Sequence, residues 1–154
     1  MCRVEVYLGL GTNIGDRKAN LYEALDRLDT LLGCHYSALS GFVETEPWGF
    51  VSDGKFLNAA VRYDLSVPRG TSESDFAHGI LCVCKEIERA MGRTGDPEYD
   101  SCGHRIYHSR IIDIDILMIG DWIIDEPDLK VPHPLMRERD FVMIPLRQIA
   151  SGLD

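Results

Sequence analysis

Residues Arg110-Ile111-Ile112-Asp113-Ile114-Asp115-Ile116-Leu117 alternate apolar and acidic side chains with a period of two, which suits a β-strand and no helix. Ile112, Ile114 and Ile116 then point to one face, and Asp113 and Asp115 to the other. The Cα atoms of the two aspartates would lie roughly 6.5–7 Å apart, close enough to hold one divalent cation or bridge two. Like charges so placed repel, and Asp is depleted in strands, so something positive must compensate. Mg²⁺ suits the position, because it takes one or two carboxylates together with phosphate oxygens. Read alone, the pattern is better explained by a strand with a solvated outer face. Its surroundings change that reading.

Arg3 to Leu10 alternates and is rich in β-formers, a first strand, and Gly9-Leu10-Gly11-Thr12-Asn13-Ile14-Gly15-Asp16 forms a turn after it. Leu21, Leu25, Leu28 and Leu32 recur at the spacing of a core-facing helical stripe. His35 to Glu46 reads as a second strand ended by Pro47, with Trp48-Gly49-Phe50 in a loop, and Phe56 to Leu65 as a third. Ser72 and Asp75 stand at capping-box spacing and open a helix to about Met91, with Phe76, Ile80, Cys84, Ile87 and Met91 along one face. Gly92 to Ser109 has no usable periodicity and reads as a long functional or mobile loop. After the aspartate strand, Gly120-Asp121 turns into a short strand at Trp122–Ile124, and a last helical segment lies around Ile144–Ile149.

The order β-α-β-β-α-β is the split βαβ, ferredoxin-like pattern. The expected fold is therefore α+β: an antiparallel sheet with its helices on one face, the other face available to a ligand, and an additional C-terminal β/α segment. Asp113 and Asp115 would stand on the available face.

A length of 154 residues, 45% apolar and 27% charged, fits a single domain over 1–154 with one core. No run approaches the roughly 20 apolar residues of a membrane span, and Met1-Cys2-Arg3-Val4-Glu5 does not open a signal peptide. Five cysteines lack any C-x-x-C spacing, and Cys82 and Cys84 would face apart on a helix, so free thiols in a reducing cytoplasm are expected. The net charge of −9 argues against a nucleic-acid partner. A small anionic ligand remains open to a chain that gathers its cations locally.

Such a gathering exists. Arg93, Arg105, Arg110, Arg137 and Arg139, with His104, His108 and His133, lie in or soon after the long loop. Guanidinium groups match phosphate oxygens, and a loop carrying them can close over a polyphosphate. Asn58 stands between apolar neighbours in a strand, where a buried amide needs partners for its donors and its acceptor. A flat heterocycle would supply them, with Trp48, Phe56 or Phe141 to stack on it, and neighbouring backbone would serve equally. The glycines at 9, 11 and 15 are spaced G-x-G-x-x-x-G, which is not the dinucleotide fingerprint, so a tight turn with Asn13 or Asp16 as helix cap is the better reading.

Ordered along the chain are Leu10-Gly11-Thr12-Asn13, Thr45-x-Pro47-x-Gly49, Phe56-Leu57-Asn58-Ala59 and Glu88 with Gly92-Arg93. Arg110-x-x-Asp113-Ile114-Asp115-Ile116-Leu117, Val131-Pro132-His133, Arg139-x-Phe141-Val142 and Pro145-Leu146 follow. Together, from Val6 to about Ala150, they closely resemble the 6-hydroxymethyl-7,8-dihydropterin pyrophosphokinases of folate biosynthesis. The resemblance implies transfer of pyrophosphate from ATP to the pterin hydroxymethyl oxygen, with release of AMP. It implies that Asp113 and Asp115 hold two Mg²⁺ ions and that Arg93 and Arg110 contact the phosphates during catalysis. Lys85, Glu88, Arg93, Arg110, Ile116, Lys130, His133 and Arg139 match ATP-site positions. Thr45, Glu46, Trp48, Phe56, Asn58, Tyr107, Asp113 and Phe141 match the pterin pocket. A monomer acting on small molecules, without nucleic acid or membrane, is expected.

The chain departs from that family where Tyr107-His108-Ser109-Arg110 replaces the usual Trp-Gly-Pro-Arg and where Gly95 replaces a second basic residue soon after Arg93. It also ends sooner after Ile149 than relatives commonly do. The competing readings are a non-catalytic ferredoxin-like binding module and a different Mg²⁺-dependent nucleotidyl or phosphoryl transferase.

Overall fold

The leucine stripe and the capping serine produce the helices expected of them. A computed structural model describes residues 2–45, 55–92, 98–99, 101–102, 105–106 and 111–151. In chain order the elements are β1 (Cys2–Thr12), α1 (Arg17–Leu32), β2 (Ala38–Leu39), β3 (Val43–Thr45), β4 (Phe56–Val67) and α2 (Glu73–Ala90). There follow β5 (Glu98–Tyr99), β6 (Arg105–Ile106), β7 (Asp113–Ile119), β8 (Ile124–Glu126), β9 (Leu129–Val131) and α3 (Asp140–Ile149), the last preceded by a 3-10 turn. Asp16 caps α1 by accepting from the Ala19 N–H at 3.1 Å, and Ser72 caps α2 by accepting from Asp75 N–H at 3.0 Å.

Among the described residues the fold is α+β, with an antiparallel sheet and three α-helices. The sheet runs β2-β4-β1-β7, with β3 also on β4. Leu21, Leu25 and Leu28 of α1 and Ile80, Cys84 and Ile87 of α2 are buried against Val6, Leu8 and Leu10, Val61 and Tyr63, and Ile112, Ile114 and Ile116. Each such aliphatic side chain contributes about 1.5–3 kcal/mol by leaving water. Among the described residues no helix is long and apolar enough to cross a membrane.

Several expectations need correction. The turn expected over 9–16 begins only after Thr12, because Gly9 and Gly11 are paired inside β1. The single strand expected from His35 to Glu46 is broken into β2 and β3. Leu39 pairs with Val61 and Val43 with Asn58, so 40–42 oppose only 59–60. Ser40 fills the gap, its Oγ accepting from the Ala60 N–H at 2.8 Å. The span 92–109, expected without structure, contains the pairing of β5 with β6. The strand expected at Trp122–Ile124 is instead β8, paired with β9, while Trp122 packs edge-on against Phe76 of α2.

The face expected to stay available is partly covered. Val142, Met143 and Leu146 of α3 pack on Tyr7, Ala60 and Leu117 there, and the Gln148 Oε1 accepts from the Gly41 N–H at 2.7 Å. Strand β7 carries a bulge that matters for this arrangement. Tyr7 pairs with Met118 and Leu8 with Ile116, leaving Leu117 unpaired. Leu117 and Met118 therefore both turn toward α3, while Ile116 and Ile119 both face α1 and α2.

Candidate active site

Asp113 and Asp115 stand on β7 on the face opposite the two long helices, as the alternation requires, with Ile114 and Ile116 buried behind them. Asp113 is half-buried and Asp115 exposed. Their partners on β1 are Gly11 and Gly9. Directly paired residues share a face, so the strip beside both carboxylates carries no side chain. This is the feature that reading 9–16 as a turn missed. The G-x-G spacing repeats the D-x-D spacing, and that match was the available signal.

The row continues across the sheet. Gly11 also pairs with Asn58 of β4, and Asn58 with Val43 of β3. Asn58 is buried, and its Nδ2 donates to the Val43 carbonyl at 3.4 Å. A Cβ on Gly11 would come within 3.0 Å of the Asn58 Oδ1 and 3.6 Å of Phe56 Cδ1. Two residues along β4, half-buried Phe56 pairs with Thr45 at the end of β3. Phe141, in the first turn of α3, packs beside the buried cluster on the same face. Asn58, Phe56, Gly11 and Asp113 thus form one surface. Glu46, Trp48 and Tyr107 lie outside the described residues.

The edge of β7 is held from α2. The Ile114 N–H, between the two aspartates, donates to the Glu88 Oε2 at 3.0 Å, and Glu88 is 5% exposed. Cys84, one turn earlier, has its thiol pushed up to about 12 by burial, with the Glu88 and Asp115 charges adding to the effect and Lys85 opposing it. Ile116 shares Ile114's outward backbone parity, while its side chain is buried among the helices. A second anchor precedes the aspartates: buried Thr12 donates its hydroxyl to the Ile111 carbonyl at 2.5 Å and accepts from Asn20 Nδ2 at 3.1 Å. Gly92, at φ 114°, sits so close to Ile111 that a Cβ would come within 2.5 Å of its Cδ1. Gly92 and Ile111, the described residues on either side of 93–110, therefore meet just before Asp113 in the chain. Arg93 and Arg110 themselves lie outside the described residues.

His133 reaches the site from the chain after β9. Its N–H donates to the Leu117 carbonyl at 2.9 Å, so the bulge residue anchors it. Burial lowers the imidazole pKa, with the Asp115 carboxylate opposing and the Arg139 guanidinium reinforcing the shift. Its Nδ1 accepts from the Leu135 N–H at 3.3 Å, which assigns the ring proton to Nε2. Arg139, half-buried at the start of α3, holds its guanidinium 5.7 Å from the Phe141 ring centroid. Of the expected ATP-site residues, then, Glu88, His133 and Arg139 gather near Asp115. Exposed Lys85 faces out from α2, and exposed Lys130 is ion-paired with Asp125 across the β8–β9 hairpin.

Two carboxylates, a neutral imidazole, a guanidinium and a buried amide on one sheet face can position an anionic and a planar group side by side. The family model for 7,8-dihydro-6-hydroxymethylpterin-pyrophosphokinase matches residues 7–151. The chain is 42% identical over 151 residues to a 2-amino-4-hydroxy-6-hydroxymethyldihydropteridine pyrophosphokinase of Porphyromonas gingivalis, covering 96% of this chain and 92% of that one. It is 39% identical to the enzyme of the same name from Methylorubrum extorquens, over 96% of this chain and 83% of that one. It is also 37% identical to a folate synthesis bifunctional protein of Pisum sativum, over 94% of this chain and 25% of that much longer one. The chain therefore belongs to the 7,8-dihydro-6-hydroxymethylpterin-pyrophosphokinase family.

Proposed function

We propose that the β1–β7 face is the catalytic centre for transfer of pyrophosphate from ATP to the hydroxymethyl oxygen of 6-hydroxymethyl-7,8-dihydropterin, releasing AMP, with Asp113 and Asp115 holding two Mg²⁺ ions. Family membership makes the chain an ATP-dependent diphosphotransferase of folate synthesis. The observation that carries the residue assignment is the pairing of Asp113 and Asp115 with Gly11 and Gly9, beside the buried amide of Asn58. Two carboxylates with no neighbouring side chain on β1 offer only oxygen donors, which suits a hard cation. When bound, the ions would neutralise phosphate charge and lower the pKa of the attacking hydroxyl.

Positioning and charge neutralisation are what such a transfer asks of the protein. Glu88 fixes the backbone between the aspartates, and Thr12 fixes the chain just before them. The His133 Nε2–H and the Arg139 guanidinium are donors for phosphate oxygens beside Asp115, with Lys85, Ile116 and Lys130 at the rim of the nucleotide site. Arg93 and Arg110 take their phosphate roles from their places in the sequence motifs. Asn58, Phe56, Phe141 and Asp113, with Thr45, Glu46, Trp48 and Tyr107, make the pterin pocket. The domain is a single ferredoxin-like unit over 1–154 with a C-terminal β/α segment. It works as a cytoplasmic monomer on small molecules, without nucleic acid.

Incubation with ATP, Mg²⁺ and the pterin alcohol tests the reading. AMP formed in step with the pyrophosphorylated pterin is the expected result. ADP would make the chain an ordinary kinase, and no turnover would leave a binding module.

A further inference from the structure

We propose that His78, Glu126 and Asp128 form a Zn²⁺ site where α2 meets the β8–β9 hairpin, separate from the aspartate pair of β7. One ligand atom from each of the three lies within 4.8 Å of the other two. The orientation of His78 is what points to a metal. Its Nδ1 is 2.8 Å from the Ser74 carbonyl oxygen, one turn back on α2, and a carbonyl only accepts, so Nδ1 carries a proton. In the neutral ring the Nε2 lone pair then faces the Asp128 carboxylate, 3.0 and 3.1 Å from its two oxygens. A lone pair facing an anion needs a cation between them, either a proton on Nε2 or a metal ion.

The neighbouring contacts favour the metal. Ser74 also donates its hydroxyl to the Glu126 Oε2 at 2.7 Å, so one residue orients both the imidazole and the second carboxylate. Outer hydrogen bonds of this kind, a ring N–H on a backbone carbonyl above all, align histidine and carboxylate ligands toward an ion. One imidazole with two carboxylates is a donor set for Zn²⁺ rather than Mg²⁺, and three protein ligands leave a fourth position to water. His78 and Asp128 are 30% and 64% exposed, so an ion can enter and both side chains can adjust to shorter bonds. Bound there, Zn²⁺ ties α2, which carries Glu88, to the hairpin that leads into His133.

The competing occupant is the proton: hydrogen bonding to Asp128, with the Ser74 carbonyl and the Glu126 charge, raises the His78 pKa, while Lys85 on α2 acts on the same Asp128. Zn²⁺ must displace that proton. The test is calorimetric titration of metal-stripped protein with ZnCl₂, in the wild type, His78→Gln, Asp128→Asn and the Asp113→Ala/Asp115→Ala double variant. One Zn²⁺ equivalent should survive in the double variant and weaken by about tenfold or more in His78→Gln and Asp128→Asn. Co²⁺ should give visible absorption bands that His78→Gln abolishes. Far-UV circular dichroism verifies that each variant is folded, and Asp128→Asn, at an exposed turn, decides should His78→Gln misfold. Wild-type Zn²⁺ affinity in folded His78→Gln or Asp128→Asn, or loss of all Zn²⁺ binding in the double variant, overturns the proposal. Turnover enters none of these readouts, so they stand apart from the catalytic assignment.

Discussion

Glu88→Ala is expected to loosen β7 between its two aspartates. The substitution removes a charged acceptor from the Ile114 N–H, at a position only 5% exposed, where water cannot replace it. A hydrogen bond to a charged group contributes about 1.5–3 kcal/mol, and a buried N–H left without a partner costs a similar amount. Relief from burying the carboxylate offsets part of this, so about 2 kcal/mol is the working figure. For a chain of this length that lowers Tm by roughly 4–8 °C. Glu88→Gln keeps an acceptor oxygen and should lose roughly half as much. Calorimetry gives Tm, and hydrogen exchange read at the Ile114 amide gives the local effect, which should be the largest along β7. In steady-state kinetics kcat should fall more than KM for ATP rises, because the aspartates are displaced rather than a binding contact removed. An unchanged Tm with a raised KM for ATP would mean that Glu88 acts by touching nucleotide, and the positioning argument would fail.

Gly11→Ala should raise KM for the pterin and destabilise the fold by about 1–3 kcal/mol, because its Cβ lands 3.0 Å from the Asn58 Oδ1; a wild-type KM and Tm would remove Gly11 from the pocket floor. Asp113→Ala and Asp115→Ala should each abolish AMP formation without lowering Tm, and near-normal activity in both would remove the metal assignment. In EDTA, the stability difference between wild type and His78→Gln, measured by urea unfolding, should be full near pH 6 and shrink toward pH 9. The His78 pKa is raised by Asp128, so its contribution is complete below the unfolded value and is lost as pH rises through the folded one. A difference that grows with pH over that range would contradict the ion pair.

Local chemistry was legible in the sequence. The Asp113-Ile114-Asp115 alternation, the Leu21-Leu25-Leu28 stripe and the Ser72 cap depend on neighbours within a turn or two, and the structure has them as read. What escaped depends on distant partners. Gly9 and Gly11 follow turn grammar until β4 and β7 pair with them across the sheet. The break at Ser40 exists because its hydroxyl takes a place in the ladder against Ala60, which a β-rich run cannot announce. Helix α3 begins at Asp140, earlier than Ile144, because Val142, Met143 and Leu146 find a cluster to cover despite Pro145 within the helix. Glu88, His133 and Arg139 were named by motif, but only the fold shows Glu88 bonded to the strand it serves.

The unpaired Leu117 sets how β7 can change over evolutionary time. Paired without the bulge, the same residues would alternate strictly, and one half of the strand would have to turn over. Either both carboxylates enter the apolar layer under α1 and α2, or Ile119 leaves it and the Gly120 turn with it. Loss of Leu117 alone would leave a regular ladder with both faces kept, so what holds the bulge in place is the side chain that Leu117 puts under α3. The extra residue also separates two selective pressures on one strand, letting the segment before it answer to chemistry and the segment after it to packing.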